Sequence, residues 1–92
     1  MKKPVFHMEA SFDDNTGRPV AMYLRTREGE VAETKELQEG LAYADYDSDG
    51  LLLGVELLGP CEVKVLDEIG EGEPEPIKRF LKGGVIRGLI SA

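Results

Sequence analysis

Apolar and polar positions alternate along the first half of the chain. Between Val5 and Phe12, the residues Phe6, Met8, Ala10 and Phe12 fall on one side and His7, Glu9 and Ser11 on the other, the period of a half-buried strand. Asp13-Asp14-Asn15-Thr16-Gly17 is a run of turn formers. Alternation resumes from Pro19 to Arg27, with Val20, Met22 and Leu24 on one face and Tyr23, Arg25 and Arg27 on the other. The two segments predict antiparallel strands joined by a short loop. After the turn Glu28-Gly29-Glu30, the segment Val31 to Glu36 mixes strand formers (Val31, Ala32, Thr34) with residues that also suit a helix. We read it as a third strand, because a meander is already running. Gln38-Glu39-Gly40 turns the chain again, and Leu41 to Asp47 and Leu51 to Leu58 follow as a fourth and a fifth strand around Ser48-Asp49-Gly50.

The pattern changes at Gly59-Pro60, which stops a strand and can open a helix. Val63, Leu66 and Ile69 recur at a helical interval up to Gly70; a competing reading keeps Val63 and Val65 in a strand. An acidic Gly/Pro linker, Gly70 to Glu75, leads to a second short helix over Pro76 to Lys82, with Ile77, Phe80 and Leu81 as its apolar face and Gly83-Gly84 as its stop. Val85 to Ile90 is apolar and could dock on the sheet or on a neighbouring protomer. Strands first and helices afterwards predict one α+β domain over residues 1–92: an antiparallel β-meander of about five strands (5–58), and a C-terminal segment (60–92) whose two short helices pack on one face.

Composition narrows the class without naming an activity. With 41% hydrophobic and 32% charged residues in 92, the chain has the make-up of a soluble globular domain with a modest core. No apolar stretch approaches the roughly 18 residues of a membrane span. Met1-Lys2-Lys3-Pro4 is not followed by a long apolar run, so no signal peptide is expected. A single cysteine, Cys61, rules out an intrachain disulfide and a cysteine-based zinc site. These features predict a cytoplasmic protein.

Charge is unevenly spread. Residues 1–27 carry five Lys/Arg and three Asp/Glu, residues 28–75 two against fifteen, and residues 76–92 four against none. The strongly acidic middle suits a basic protein partner, or association of one copy's basic tail with another's middle, and argues against nucleic acid as the main ligand. A homodimer is expected.

Asp45-Tyr46-Asp47-Ser48-Asp49-Gly50 followed by Glu56 satisfies the calcium-loop string D-x-D-x-D-G-x₅-E. In such a loop Asp45, Asp47 and Asp49 would supply carboxylates, Leu51 a carbonyl and Glu56 a bidentate carboxylate. The flanks oppose it. Gly40 interrupts the place of the entering helix, and Gly54 and Gly59-Pro60 cut short the exit helix; an internal proline alone costs about 3 kcal/mol. The same residues make a simpler hairpin, with Asp47-Ser48-Asp49-Gly50 as its turn and Gly50 taking positive φ. Weak cation binding at Asp45, Asp47 and Asp49, with Glu56, stays as an alternative, and no cofactor is expected.

The run Asp45-Tyr46-Asp47-Ser48-Asp49-Gly50-Leu51-Leu52-Leu53-Gly54-Val55-Glu56-Leu57-Leu58 resembles the signature of bacterial domain-of-unknown-function family 2283, a pattern like D-x-D-x-x-G-x-L-x-G-I-E-I-L. Ala21-Met22-Tyr23-Leu24 is similar to that family's early strand. The resemblance covers residues 5–60, and Val55 stands where the pattern prefers isoleucine. It implies an α+β fold without established activity. Some members sit beside small ribonuclease-like toxins, which implies an antitoxin or immunity role.

Three further residues bear on an enzymatic alternative. His7 is the only histidine, and a lone strand histidine is more often an exposed or hydrogen-bonded residue than a catalyst. Cys61, at an expected helix start, would have its thiol pKa lowered there, although a small buried residue is the commoner role. Glu56 interrupts an apolar strand. If buried it needs a partner such as Arg25, Arg27, Tyr23 or Tyr43, and the structural role expected for it is a satisfied carboxylate at the sheet edge. No convergent catalytic set emerges. The reading is a protein-interaction or binding module, not an enzyme.

Overall fold

The computed structural model of the chain describes residues 4–59, 61–83 and the backbone of 90–91. Five strands form one antiparallel sheet: β1 (Pro4–Phe12), β2 (Pro19–Arg27), β3 (Glu33–Gln38), β4 (Ala42–Tyr46) and β5 (Leu52–Leu57). A short strand β6 (Cys61–Glu62) leads into α1 (Val63–Gly70), α2 (Glu75–Gly83) follows, and β7 (Ile90–Ser91) pairs parallel with β6. The expected five-stranded antiparallel sheet with two helices is therefore present. Its spatial order is β1-β2-β5-β4-β3. Strands β3 to β5 run as a meander, but β2 lies against β5, which places β5 at the centre and leaves β1 and β3 as edges.

Side-chain alternation sets the two faces. On β2, Met22, Leu24 and Thr26 are buried while Tyr23 and Arg25 are half-buried on the other side. Pairing carries this across the sheet, since Leu24 faces Val55, Met22 faces Leu57, and Val55 and Leu57 face Ala44 and Ala42. The two alanines of β4 are fully buried in the core cluster. Val65, Leu66 and Ile69 of α1 and Ile77 and Leu81 of α2 complete one cluster with these residues and Cys61. Asp45 pairs with Gly54 and Tyr46 with Leu52, so Leu53 is an extra residue on β5. The resulting bulge returns Leu52 to the core face.

Some expectations shift. The third strand starts at Glu33 instead of Val31, and Ala32 just before it donates its N–H to the Tyr46 carbonyl (2.8 Å). Cys61 sits in β6, not at a helix start, so the first helix begins at Val63; Pro60 lies outside the described residues. Val63 is exposed, and the buried stripe of α1 is Val65, Leu66 and Ile69. The expected apolar segment Val85 to Ile90 lies outside the described residues but for the backbone of Ile90. Glu56 is on the central strand and exposed, not at a sheet edge.

A buried ion pair ties the end of β2 to the linker between the helices. Arg27 donates through Nη1 to the Leu52 carbonyl at 2.9 Å and through Nη2 to Glu73 Oε1 at 2.9 Å. The Thr26 hydroxyl donates to the same Leu52 oxygen at 3.0 Å. Among the described residues, no helix is long and apolar enough to cross a membrane.

Candidate functional site

The calcium string is divided among three tasks. The carboxylate of Asp47, in a buried residue, accepts the backbone N–H of Asp49 and of Leu51, both at 2.9 Å. The Gly50 N–H reaches the Asp47 carbonyl at 3.0 Å, and Gly50 has φ +82°, so the segment is a capped hairpin turn. Asp45 faces the sheet's helix-free side, where it accepts the Thr34 hydroxyl at 2.6 Å and the Tyr23 hydroxyl at 3.1 Å. Asp49 is exposed on the turn, and Glu56 stands on β5 between two tyrosines. Among the described residues, no three His, Cys, Asp or Glu side chains gather as a metal site would require.

His7 and Cys61 are on opposite sides of the sheet. His7 belongs to the helix-free side, with its Nε2 3.1 Å from Glu9 Oε1. Cys61 is fully buried in the core cluster. Burial pushes its thiol pKa up, the reverse of the lowering expected from a helix N-terminus. Glu56 is on the same side as His7, but β2 separates their strands.

What the fold does assemble is the helix-free face itself. Register places Tyr23, Glu56 and Tyr43 in one row across β2, β5 and β4. Tyr23 fits because Gly54 has no side chain: a Cβ there would collide with the Tyr23 hydroxyl. Tyr43 donates to Glu36 Oε2 at 2.9 Å, and the same oxygen accepts the Gly40 N–H at 3.1 Å. These two bonds, the Gly40 one foremost, lower the Glu36 pKa. Burial first, and then the Asp45 charge, raise the Tyr23 pKa; the bond to Glu36 raises that of Tyr43. Both phenols therefore remain neutral donors at physiological pH. Arg25, the main cation nearby, is directed at the Arg27 and Gly29 carbonyls, each at 3.0 Å. The face thus presents hydroxyls and carboxylates with little compensating positive charge.

Two hollows adjoin this architecture. One of about 180 Å³ is bounded by Glu9, Ser11, Ala21, Met22, Tyr23 and Glu56. That is below the roughly 300 Å³ at which small-molecule pockets begin. The other, about 520 Å³, is a groove between α1 and α2 where Asp67, Glu68, Glu71 and Glu75 meet Lys78, Arg79 and Lys82. Lys82 already pairs with Asp67 at 2.7 Å, and no described residue lining the groove is a histidine, cysteine or serine.

Thr34, Glu36 and the pairing of Arg27 with Glu73 escaped sequence reasoning. Cross-strand register, not composition, brings Thr34 to Asp45, and only the folded linker brings Glu73 to Arg27. No family model matches the sequence, and neither the curated proteins nor the solved structures contain a match to it.

Proposed function

We propose that the chain is a cytosolic protein-interaction module that presents the helix-free face of its sheet to a basic protein. The row Tyr23–Glu56–Tyr43 across three adjacent strands carries this reading. Tyrosine supplies a large amphipathic contact surface at low conformational cost and is enriched in interfaces. The neighbouring carboxylates of Glu9, Glu36 and Asp45 favour positive charge opposite them and speed its approach. The resemblance of residues 5–60 to family 2283 directs the choice of partner toward a small ribonuclease-like toxin, with the module in an antitoxin-like role.

Amide-shift mapping of the isotope-labelled chain against a panel of small basic proteins, ribonuclease-like ones included, tests the reading. A binder should shift Tyr23, Glu56 and Tyr43, lose affinity with added salt, and bind Glu56→Lys at least about tenfold more weakly. Glu56 is exposed, so this substitution leaves the core intact. Shifts gathered in the α1–α2 groove, or a Glu56→Lys variant that binds as well as the parent, would refute the assignment.

A further inference from the structure

The two edges of the sheet are differently equipped. β3 exposes Glu33, Lys35 and Glu36, charges that discourage addition of another strand. β1 runs for nine residues and keeps Phe6, Met8 and Phe12 about half exposed, at 50%, 49% and 52%. These side chains share the face of Met22 and Leu24, which are 2% and 0% exposed directly across the hairpin. The core face therefore continues onto β1 while most of its helical cover does not. The helices meet β1 where the Phe80 ring rests 4.9 Å from that of Phe6.

We propose that a second copy of the chain completes this edge, with β1 pairing antiparallel to its counterpart about a two-fold axis through Met8. This goes beyond the binding face proposed above: it uses the outer edge of β1, with Glu9 common to both. A two-fold axis normal to the sheet keeps each face on its own side, so the central choices are His7, Met8 and Glu9. Centring on Glu9 opposes two glutamates, and like charges directly opposite destabilise a strand pair. Centring on His7 opposes two histidines and leaves Glu9 facing Val5. Centring on Met8 sets His7 against Glu9 twice, Phe6 against Ala10 twice, and Met8 against itself. Imidazoles then meet carboxylates as hydrogen-bond partners on the polar side, and Phe6 meets the small Ala10 on the apolar side. His7 already lies 3.1 Å from Glu9 within its own strand, so four side chains join in one cluster. Met8 is also the middle residue of the nine-residue strand Pro4–Phe12, so this register pairs the whole of β1 with its counterpart.

The area agrees with a reversible dimer. With roughly half of the 150–250 Å² of an aromatic-sized side chain exposed at each large residue, and Val20 alongside, the patch is on the order of 300–400 Å² per copy. Two patches, two strand edges and the flanking polar row approach the roughly 1,000 Å² of a specific interface. The product would be a continuous ten-stranded sheet.

Sedimentation equilibrium of the full chain from about 5 to about 300 μM is the test. A monomer–dimer equilibrium is expected, with Met8→Lys raising the dissociation constant at least about tenfold by setting two ammonium groups across the axis. Met8 is half exposed, so an unchanged circular-dichroism spectrum should accompany that loss, with equal melting temperatures at dilutions where both chains are monomeric. Register is read from H7E and E9K. Each alone weakens the dimer, and an equimolar mixture restores a heterodimer, because each substituted side chain then faces opposite charge. A monomer throughout the range, a dimer indifferent to Met8→Lys, or a mixture no tighter than either variant alone would overturn the proposal. The first of these would leave the edge to a strand from another protein.

Discussion

Removing the Glu73 carboxylate isolates the contribution of the Arg27 pair. Only 8% of the Arg27 side chain and 16% of that of Glu73 is exposed, and the Nη2–Oε1 distance is 2.9 Å. Breaking a fully buried ion pair from one side costs about 3–5 kcal/mol, because the remaining charge is left without a counterion. Two features reduce that figure here. Water reaches one side of Glu73, and Arg27 keeps its bond to the Leu52 carbonyl. Glu73→Ala should therefore cost about 2–3 kcal/mol. A chain of this length has about 5–14 kcal/mol in total, and the loss corresponds to a melting temperature roughly 10–20 °C lower. Urea denaturation of Glu73→Ala, Arg27→Met and the double variant closes a cycle whose coupling energy should exceed about 1 kcal/mol. Arg27→Met retains an apolar stem in place of the guanidinium. Glu71→Ala, two residues away and exposed, serves as control and should stay within about 0.5 kcal/mol. A Glu73→Ala loss no larger than the control, or strictly additive singles, would refute the idea that the pair latches linker to sheet.

Four other outcomes follow from the same contacts. Gly54→Ala should cost about 1–3 kcal/mol in the parent and clearly less in a Tyr23→Ala background, because its Cβ meets the phenol; equal melting losses in both would be inconsistent with that collision. Asp47→Ala leaves the N–H groups of Asp49 and Leu51 without their acceptor and should cost about 1–2 kcal/mol by urea midpoint, with Asp47→Asn recovering much of it. The N–H groups of Thr16 and then Asn15 hold the Asp13 pKa below its ordinary value, so its contribution is present above the unfolded-state pKa of about 3.9 and is lost as pH falls through the lower folded value. Asp13→Asn should flatten the acid limb of the midpoint-against-pH curve, and an unaltered limb would contradict this. Millimolar calcium should leave the melting temperature unchanged, given the separation of Asp45, Asp47 and Glu56 into different tasks; a rise that Asp47→Asn abolishes would reverse that view.

Period-two alternation located β1 and β2, of which β2 shows one face to the core and the other outward, while β5 was found as a run apolar on both faces and bounded by turns. The β3 segment was harder, since every residue from Glu33 to Glu36 is exposed and no buried face imposes a pattern on it. Strand order was not legible: alternation is identical whether β2 pairs with β3 or with β5. The turn at Asp47 was readable from its Asp-Ser-Asp-Gly chemistry, and rejecting a calcium loop followed from glycine and proline in its flanks. Glu56 could be singled out but not placed, because the Leu53 bulge changes which residues of β5 share a side, and a one-residue insertion leaves no trace in hydropathy. Cys61 was misplaced because a strand of two residues ahead of a helix is too short to show a period.

The tyrosine hydrogen bonds have an optical consequence. The chain has three tyrosines and no tryptophan, so its ultraviolet emission is tyrosine emission. Tyr23 and Tyr43 each donate to a carboxylate, of Asp45 and Glu36 respectively. An excited phenol is a much stronger acid than one in its ground state, and a carboxylate already at hydrogen-bond distance quenches it. The folded protein should consequently be dim and should brighten on unfolding. The same quenching makes the sheet face self-reporting: a ligand that draws Asp45 or Glu36 away would light it without any attached dye.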